Sequence, residues 1–476
     1  MHRRIFYRRA GLLLAVIAAV SLLQSRAFTQ TSTGTSGTSS SGSNNSSTTN
    51  NFNQSGVVVD AEGVLRSKSF PDPSGQLTRE RIAAAKTELD PKVTAYSKLR
   101  KISLNRLEAA IRQHQGVLSE EMRSLAGLQR IHYVFYYPDT KDIVIAGPAE
   151  GWFTNLTGRM VGITTGRPVV QLQDLVVGLR SFPPKGKATS LIGCSIDPTP
   201  EGLAAMQQFL RSTGSVLNPA QTSPAAIING LKTSLGMHSI SVNGVSPKTH
   251  FAQVMVEADY RMKLIGIGLE RPPVRLVSYV DRATPSDVSR SALQRWFFTP
   301  DYQCVRVSED NLAMELVGDG VKLVGENELI SASGQRQVSG VNKASQAFVN
   351  SFTKIYPELA DRSAVYADLR NLIDIAISAA FIQQQGYYAK AGWKMEFFGD
   401  ENAFSVDTYD IPRTVESTVN AVYKNGRLMT PIGGGVHIEP TKALESDKLL
   451  SDEKGKVAKL RQEININLAN GQWWWD

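Results

Sequence analysis

SLIGCSIDPTPEGLAAMQQFL, residues 190–210, carries the decisive pattern of this 476-residue chain. Residues 190–196 form an uncharged run holding Leu191, Ile192 and Ile196, the length and composition of a buried strand. Pro198-Thr199-Pro200-Glu201 follows at once and supplies a helix N-cap with proline at the first helical position. There the missing proline N–H costs nothing, because that donor has no intrahelical partner. A strand running straight into a capped helix is one unit of alternation, and the alternation continues on both sides. Upstream, Leu172, Leu175, Val176 and Leu179 recur at helical spacing. Downstream, 225–235 reads as helix and 239–242 as extended. Phe251, Val254, Met255, Ala258, Met262 and Ile265 mark another amphipathic helix, and 276–280 returns to strand. Such alternation predicts an α/β fold, a mixed sheet with flanking helices.

Further out the same periods apply. Residues 57–65 read as two short strands around a Gly63 turn, and 77–89 as a helix. A second helix is expected from Leu99, Ile102, Leu104, Leu107, Ala110 and Ile111, with Glu108 and Arg112 paired on its solvent side. Residues 131–137 and 143–146 flank a turn at 138–141 and predict a hairpin. Beyond residue 300, the runs 304–307, 312–317 and 321–324 are separated by tight polar turns and predict a three-stranded β-meander. Residues 344–356 and 365–382 are expected helices. The second has an apolar stripe wide enough for near-complete burial, while Asp368, Arg370 and Asp374 oppose a membrane span. From Trp393 strand signals dominate, including 415–423 and a turn at Lys424-Asn425-Gly426, so a β-rich C-terminal part is expected. Residues 447–463 are charge-rich and suit a surface helix or linker.

Residues 1–27 read as a secretory signal peptide. Arg3, Arg4, Arg8 and Arg9 precede an apolar run at 10–23, and Ser25-Arg26-Ala27 offers a cleavage point before Phe28. That run is shorter than the ~17–25 residues a bilayer span needs. Residues 28–56 are Ser, Thr, Gly and Asn-rich without charge, the composition of a flexible linker. An α/β body is expected at 57–390 and the β-rich region at 391–476, with its charged segment and tryptophan tail. The formal charge of +8 falls to +3 once the five leading arginines are set aside. A nearly neutral remainder argues against a nucleic-acid partner, which needs a clustered positive face.

No complete catalytic motif assembles. Cys194 and Cys304 are the two cysteines, and in an oxidising compartment they form either a disulfide or two buried reduced thiols. His114, His132, His238, His250 and His437 show no metal-ligand spacing, so neither metal nor cofactor is expected. Ser351 and Lys354 match Ser-x-x-Lys, and Tyr423 with Asn425 a partner motif, but no Lys-Ser/Thr-Gly follows. Gly433-Gly434-Gly435 precedes no helix pattern and reads as a strand bend or close backbone approach. Asp259 and Lys263, at i and i+4, are either an exposed ion pair or the lining of a polar-ligand cleft. Trp473, Trp474 and Trp475 either offer a ligand surface or pack back and pin the terminus.

Residues 147–152 (GPAEGW), 256–270 (VEADYRMKLIGIGLE), 369–376 (LRNLIDIA), 430–436 (TPIGGGV) and the WWWD end resemble an uncharacterised family of secreted proteins from planctomycete-type bacteria, a domain of unknown function. The resemblance implies export to the periplasm or cell exterior and supplies no activity. Together the readings predict an exported, non-enzymatic binding or structural component of the bacterial cell envelope, partnered by an envelope protein or glycan. The alternative is an envelope hydrolase of peptide or glycan whose site is dispersed in sequence.

Overall fold

The 190–210 stretch folds as its pattern dictates. Ile192–Asp197 is a strand, Pro200–Ser212 a helix, and the Thr199 hydroxyl accepts the Gly202 N–H at 3.0 Å to cap it. The computed structural model describes residues 54–212, 223–284, 292–330, 335–338, 340, 342–417, 419 and 432–476. The expected signal peptide, the linker up to residue 53, residues 420–423 and the turn at 424–426 lie outside the described residues. Residues 54–56, assigned to the linker by composition, open the strand Gln54–Val59.

The fold is α/β. Ile192–Asp197 lies fifth in a mixed nine-stranded sheet whose order is Gln54–Val59, Val64–Phe70, Thr414–Glu416, Met237–Asn243, Ile192–Asp197, Ile432–Ile438, Ala292–Pro300, Val321–Ile330 and Arg336–Val338. A seven-stranded sheet runs Leu450–Ser451, Val305–Val307, Ala313–Leu316, Tyr133–Tyr137, Asp142–Ala149, Ser97–Ser103 and Trp474–Trp475. Strand alternation sends Ile192, Cys194 and Ile196 into the main core, together with Trp296 and Phe298 two strands away. Ser195 faces the other way and shares a hydrogen bond with Ser241 at 2.9 Å.

One core joins the inner faces of both sheets through a set of helices. His250–Gly266 packs on Ile192–Asp197 and Ile432–Ile438, and Lys343–Arg362 packs on Val321–Ile330. Ala364–Gln384 packs on both of these helices and on Leu172–Ser181, and its residues 365–382 are all buried, as its broad stripe predicts. The outer faces are covered separately. Leu203, Met206 and Leu210 of Pro200–Ser212, with Ile227, Leu231 and Leu235 of Pro224–Leu235, close over Leu293 of the first sheet. Val457 and Leu460 of the helix Lys456–Glu463 cover Phe135 and Val144 of the second. Among the described residues no helix is long and apolar enough to cross a membrane.

Several expectations differ from the structure for physical reasons. Residues 97–103 are a strand, paired with Asp142–Ala149 and with Trp474–Trp475, so the helix begins only at Leu104. Pairing partners distant in sequence override the three-residue spacing of Leu99 and Ile102, which reads as helical. Glu108 is buried rather than solvent-facing. Its carboxylate accepts the Trp393 indole N–H at 2.5 Å and the Phe397 and Phe398 backbone N–H groups at 2.8 and 2.7 Å. The meander stops at two strands. Gly318 and Gly320, at φ +72° and +66°, turn the chain away, and Val321–Ile330 pairs with Ala292–Pro300 in the other sheet. Residues 276–280 are not a strand. Ser278 caps a helical turn, Tyr279–Arg282, by accepting the Asp281 N–H at 3.2 Å.

Past residue 391 the described strands are short and scattered. Thr414–Glu416 and Ile432–Ile438 complete the first sheet, Leu450–Ser451 and Trp474–Trp475 the second. The glycine triplet makes the close approach its composition suggests. A Cβ at Gly434 would collide with the Trp296 carbonyl oxygen, and one at Gly435 with that of Cys194.

Candidate functional site

Helical periodicity divides the polar residues of His250–Gly266 between two faces. His250, Glu257 and Arg261 fall at i, i+7 and i+11 on one side, whereas Asp259 and Lys263 turn toward the first sheet. Along the first side runs a buried chain of alternating charge. The His250 imidazole Nδ1 lies 2.8 Å from Asp174 Oδ2, which the first turn of Leu172–Ser181 presents. Arg159, between the short paired strands Trp152–Thr154 and Met160–Gly162, donates to Asp368 Oδ2 at 2.9 Å and to Glu257 Oε2 at 2.5 Å. Arg261 donates to Glu257 Oε1 at 3.4 Å and to Glu270 Oε1 at 2.7 Å. Burial pushes the Asp368 carboxyl up to about 6, although Arg159 and His250 pull against it. Burial depresses His250, but the charge and hydrogen bond of Asp174 outweigh it and leave the imidazole raised.

The second side holds the Asp259–Lys263 pair, and neither side chain reaches the surface: they are 0% and 2% exposed. This corrects both sequence readings, the exposed ion pair and the ligand-lining face. The Lys263 ammonium donates to Asp259 Oδ2 at 2.7 Å, to the Ile196 carbonyl at 2.9 Å and to the Gly434 carbonyl at 3.0 Å. All three of its protons are thereby engaged within the protein. Burial raises the Asp259 carboxyl to about 6 against the pull of Lys263.

Cys194 and Cys304 are not brought together as a disulfide. Both are free and buried, Cys194 within the first sheet and Cys304 just before the Val305–Val307 strand of the second. Burial pushes the Cys304 thiol up to about 12 and raises Cys194 well above its ordinary value, so neither is a thiolate at neutral pH. Trp473, Trp474 and Trp475 are not a free ligand surface. Trp473 is buried, and Trp474 and Trp475 pair with Ile102 and Lys101 as an edge strand. The fully buried Arg100 guanidinium lies 4.6 Å from the Trp474 ring and donates to both carboxylate oxygens of Asp476 at 2.9 Å. Ser351 donates to the Ala347 carbonyl at 2.8 Å, an ordinary intrahelical bond. Among the described residues no cluster of three or more His, Cys, Asp or Glu side chains has metal-binding geometry.

A cleft of about 380 Å³ opens beside the N-terminus of His250–Gly266. Val177, Arg180 and Ser181 form one wall, residues 244–249 a second, and Glu401 with 405–408 a third. Its lining residues Thr249 and Thr408 immediately precede His250 and Tyr409 in the chain, and those two rings lie 5.7 Å apart. A smaller hollow shares residues 405–407 and is lined by Gln171 and Gln173, whose amide donates to the Tyr409 hydroxyl at 3.0 Å. The arrangement places a cavity of mixed polar and apolar lining next to a His–Asp pair. From sequence His250 reads as an ordinary imidazole, residues 257–263 draw attention only through Asp259 and Lys263, and neither Asp174 nor Arg159 stands out. The contacts bridge 76, 98 and 209 residues, and no local spacing announces them.

A domain matching the family described as "Protein of unknown function (DUF1598)" is found at residues 194–279. It begins in the strand Ile192–Asp197 and contains all of Met237–Asn243 and His250–Gly266, and with them the second wall of the cleft. No curated protein and no solved structure matches the chain.

Proposed function

We propose that this is an exported protein of the bacterial envelope, of the secreted planctomycete-type kind it resembles, and that it binds a polar ligand in the 380 Å³ cleft. The cleft is the observation that carries the reading. Its volume falls within the ~300–1,000 Å³ typical of small-ligand sites. Among the described residues the His250 ring hydrogen-bonds Asp174 and no hydroxyl or thiol, which favours recognition over nucleophilic chemistry. Export is supported by the arginine-plus-apolar pattern of residues 1–27. Two measurements test the reading. Fractionation with N-terminal sequencing should find a chain starting at Phe28 outside the cytosol, and an uncleaved cytosolic product overturns export. A thermal-shift screen of envelope peptides and glycans should find a ligand that stabilises by ~2.7 kcal/mol at 100 times its Kd.

The second reading, an envelope hydrolase, is favoured by the His250–Asp174 pair and by Asp368 with its carboxyl near 6, the groups an acid–base mechanism needs. Release of product from peptidoglycan fragments, abolished by His250→Ala, would select it.

A further inference from the structure

We infer that the edge of the second sheet formed by Ser97–Ser103 is a peptide-binding site, which the chain's own residues 473–476 fill. Its ligand is an extended aromatic segment with a carboxylate just beyond the last ring. The site shares no residue with the cleft, so it stands or falls independently of that cavity.

The floor of the site comes from residues far from 473–476 in sequence. Arg100 is 0% exposed, and neutral carbonyls hold its guanidinium. Nη1 donates to those of Val93 and Ala126 at 3.2 and 2.5 Å, and Nη2 to those of Lys92 and Ala95 at 3.1 and 3.3 Å. These bonds fix the fork without neutralising it. Asp476, gripped through both carboxylate oxygens, is its one ion partner among the described residues. A buried guanidinium stripped of that carboxylate is strongly disfavoured, so the seat demands an anionic occupant. A bulge between Ser97 and Arg100 interrupts the pairing with Asp142–Ala149 beside the arginine, a device that re-aims side chains at sites.

The rest of the seat takes backbone and rings. Trp474 and Trp475 pair with Ile102 and Lys101, and the Ser103 N–H donates to the Trp473 carbonyl at 2.9 Å. Main-chain pairing of this kind gives affinity, while the side-chain positions give specificity. Trp473 is buried in the main core, and the Lys101 ammonium lies 5.9 Å from the Trp475 ring. Burial pushes the Asp476 carboxyl up, but hydrogen bonds from Arg100 and Ser97 outweigh it and hold it below its ordinary value.

The segment is attached as a tethered ligand would be. Residues 469–472 are all exposed, and Gly471, at φ +81°, turns the chain there. An exposed joint thus precedes the seated residues. Trp474–Trp475 lies at the margin of its sheet and pairs with one strand only, so its departure breaks no other pairing.

The test is fluorescence anisotropy with a dye-labelled hexapeptide of the sequence of residues 471–476, titrated with the full chain as wild type and as Asp476→Ala. Binding to Asp476→Ala is expected to be at least tenfold tighter than to wild type, whose own segment competes from its tether at high effective concentration. A hexapeptide with Asn in place of its Asp, and a scrambled one, should bind at least tenfold more weakly. Hydrogen exchange gives a second readout. The Ser103 amide should be protected in wild type, exchange faster in Asp476→Ala and regain protection when the hexapeptide is added. If Asp476→Ala unfolds, refolding by the hexapeptide but not by its Asn form supports the site. An Asp476→Ala chain that binds no hexapeptide, folded or unfolded, overturns the inference. Equal binding of the Asn and scrambled forms overturns it too.

Discussion

One helix, His250–Gly266, treats charge in opposite ways along its length. In its middle, Asp259 and Lys263 are sealed under the first sheet and every proton of the ammonium is engaged by the protein itself. Just before its N-terminus, Lys248 lines an open cleft, exposed and, among the described residues, without an ion partner. Both regions are rich in charge. Burial alone separates a charge that organises the fold from one that is available to a ligand. In the interior, desolvation makes an unpaired ion costly, so each finds a counter-charge; at the cleft, water holds the charge until something displaces it.

The contrast is sharpest at Lys263. Lys263→Met leaves Asp259 buried without its counter-charge, its Oδ1 having no partner among the described residues, and should destabilise the fold by about 3–5 kcal/mol in urea titrations. The double variant Asp259→Leu, Lys263→Met removes both charges and should lose much less than the single one. If the double variant loses as much, packing rather than charge holds that part of the helix.

An intermediate effect is expected from pH. Asp259 and Asp368 both sit near 6 in the folded chain, above the ~3.9 of an unfolded aspartate. Between those values the folded state binds protons that the unfolded state has released, so stability falls as pH rises from about 4 to about 6. His250 acts in the same direction. Its raised value makes the protonated form favourable, and that contribution is lost as pH climbs past its folded value. Chemical denaturation across pH 4–8 should therefore slope downward by on the order of 2 kcal/mol per carboxyl, and Asp368→Asn should flatten its share. A profile rising through that window would show that pairing with Arg159 and Lys263 outweighs burial.

The smallest effect belongs to the cleft. Lys248→Ala should change stability by no more than about 0.5 kcal/mol, because this exposed side chain has no ion partner among the described residues to lose. A larger loss would mean that this lysine belongs to the scaffold, and the two ends of the comparison would merge.

How much of this was legible in the sequence depended on the range of the interaction. Thr199-Pro200 caps its helix where the pattern places it, since a cap involves residues only three apart. The burial of 365–382 was legible from the width of its apolar stripe. By contrast, Leu99 and Ile102 in 97–103 are spaced as on a helix, yet strands at 142–149 and 474–475 made the segment a strand. Glu108 resembled a solvated helix residue, yet three donors from 393–398 draw it inside. The Asp259–Lys263 spacing was visible, but whether it faced water or the sheet was not. The ion chain through Arg159 left no trace, because its members come from four separate elements.

The sequence by itself determined the α/β class, the strand–cap–helix unit at 190–210 and which helix would be buried, since these follow from contacts a few residues apart. Only the tertiary structure decided which strands share a sheet, which charges are sealed and which face the cleft. Those outcomes depend on desolvation and on partners a hundred or more residues away, and the chain encodes them only through the surfaces that folding brings together.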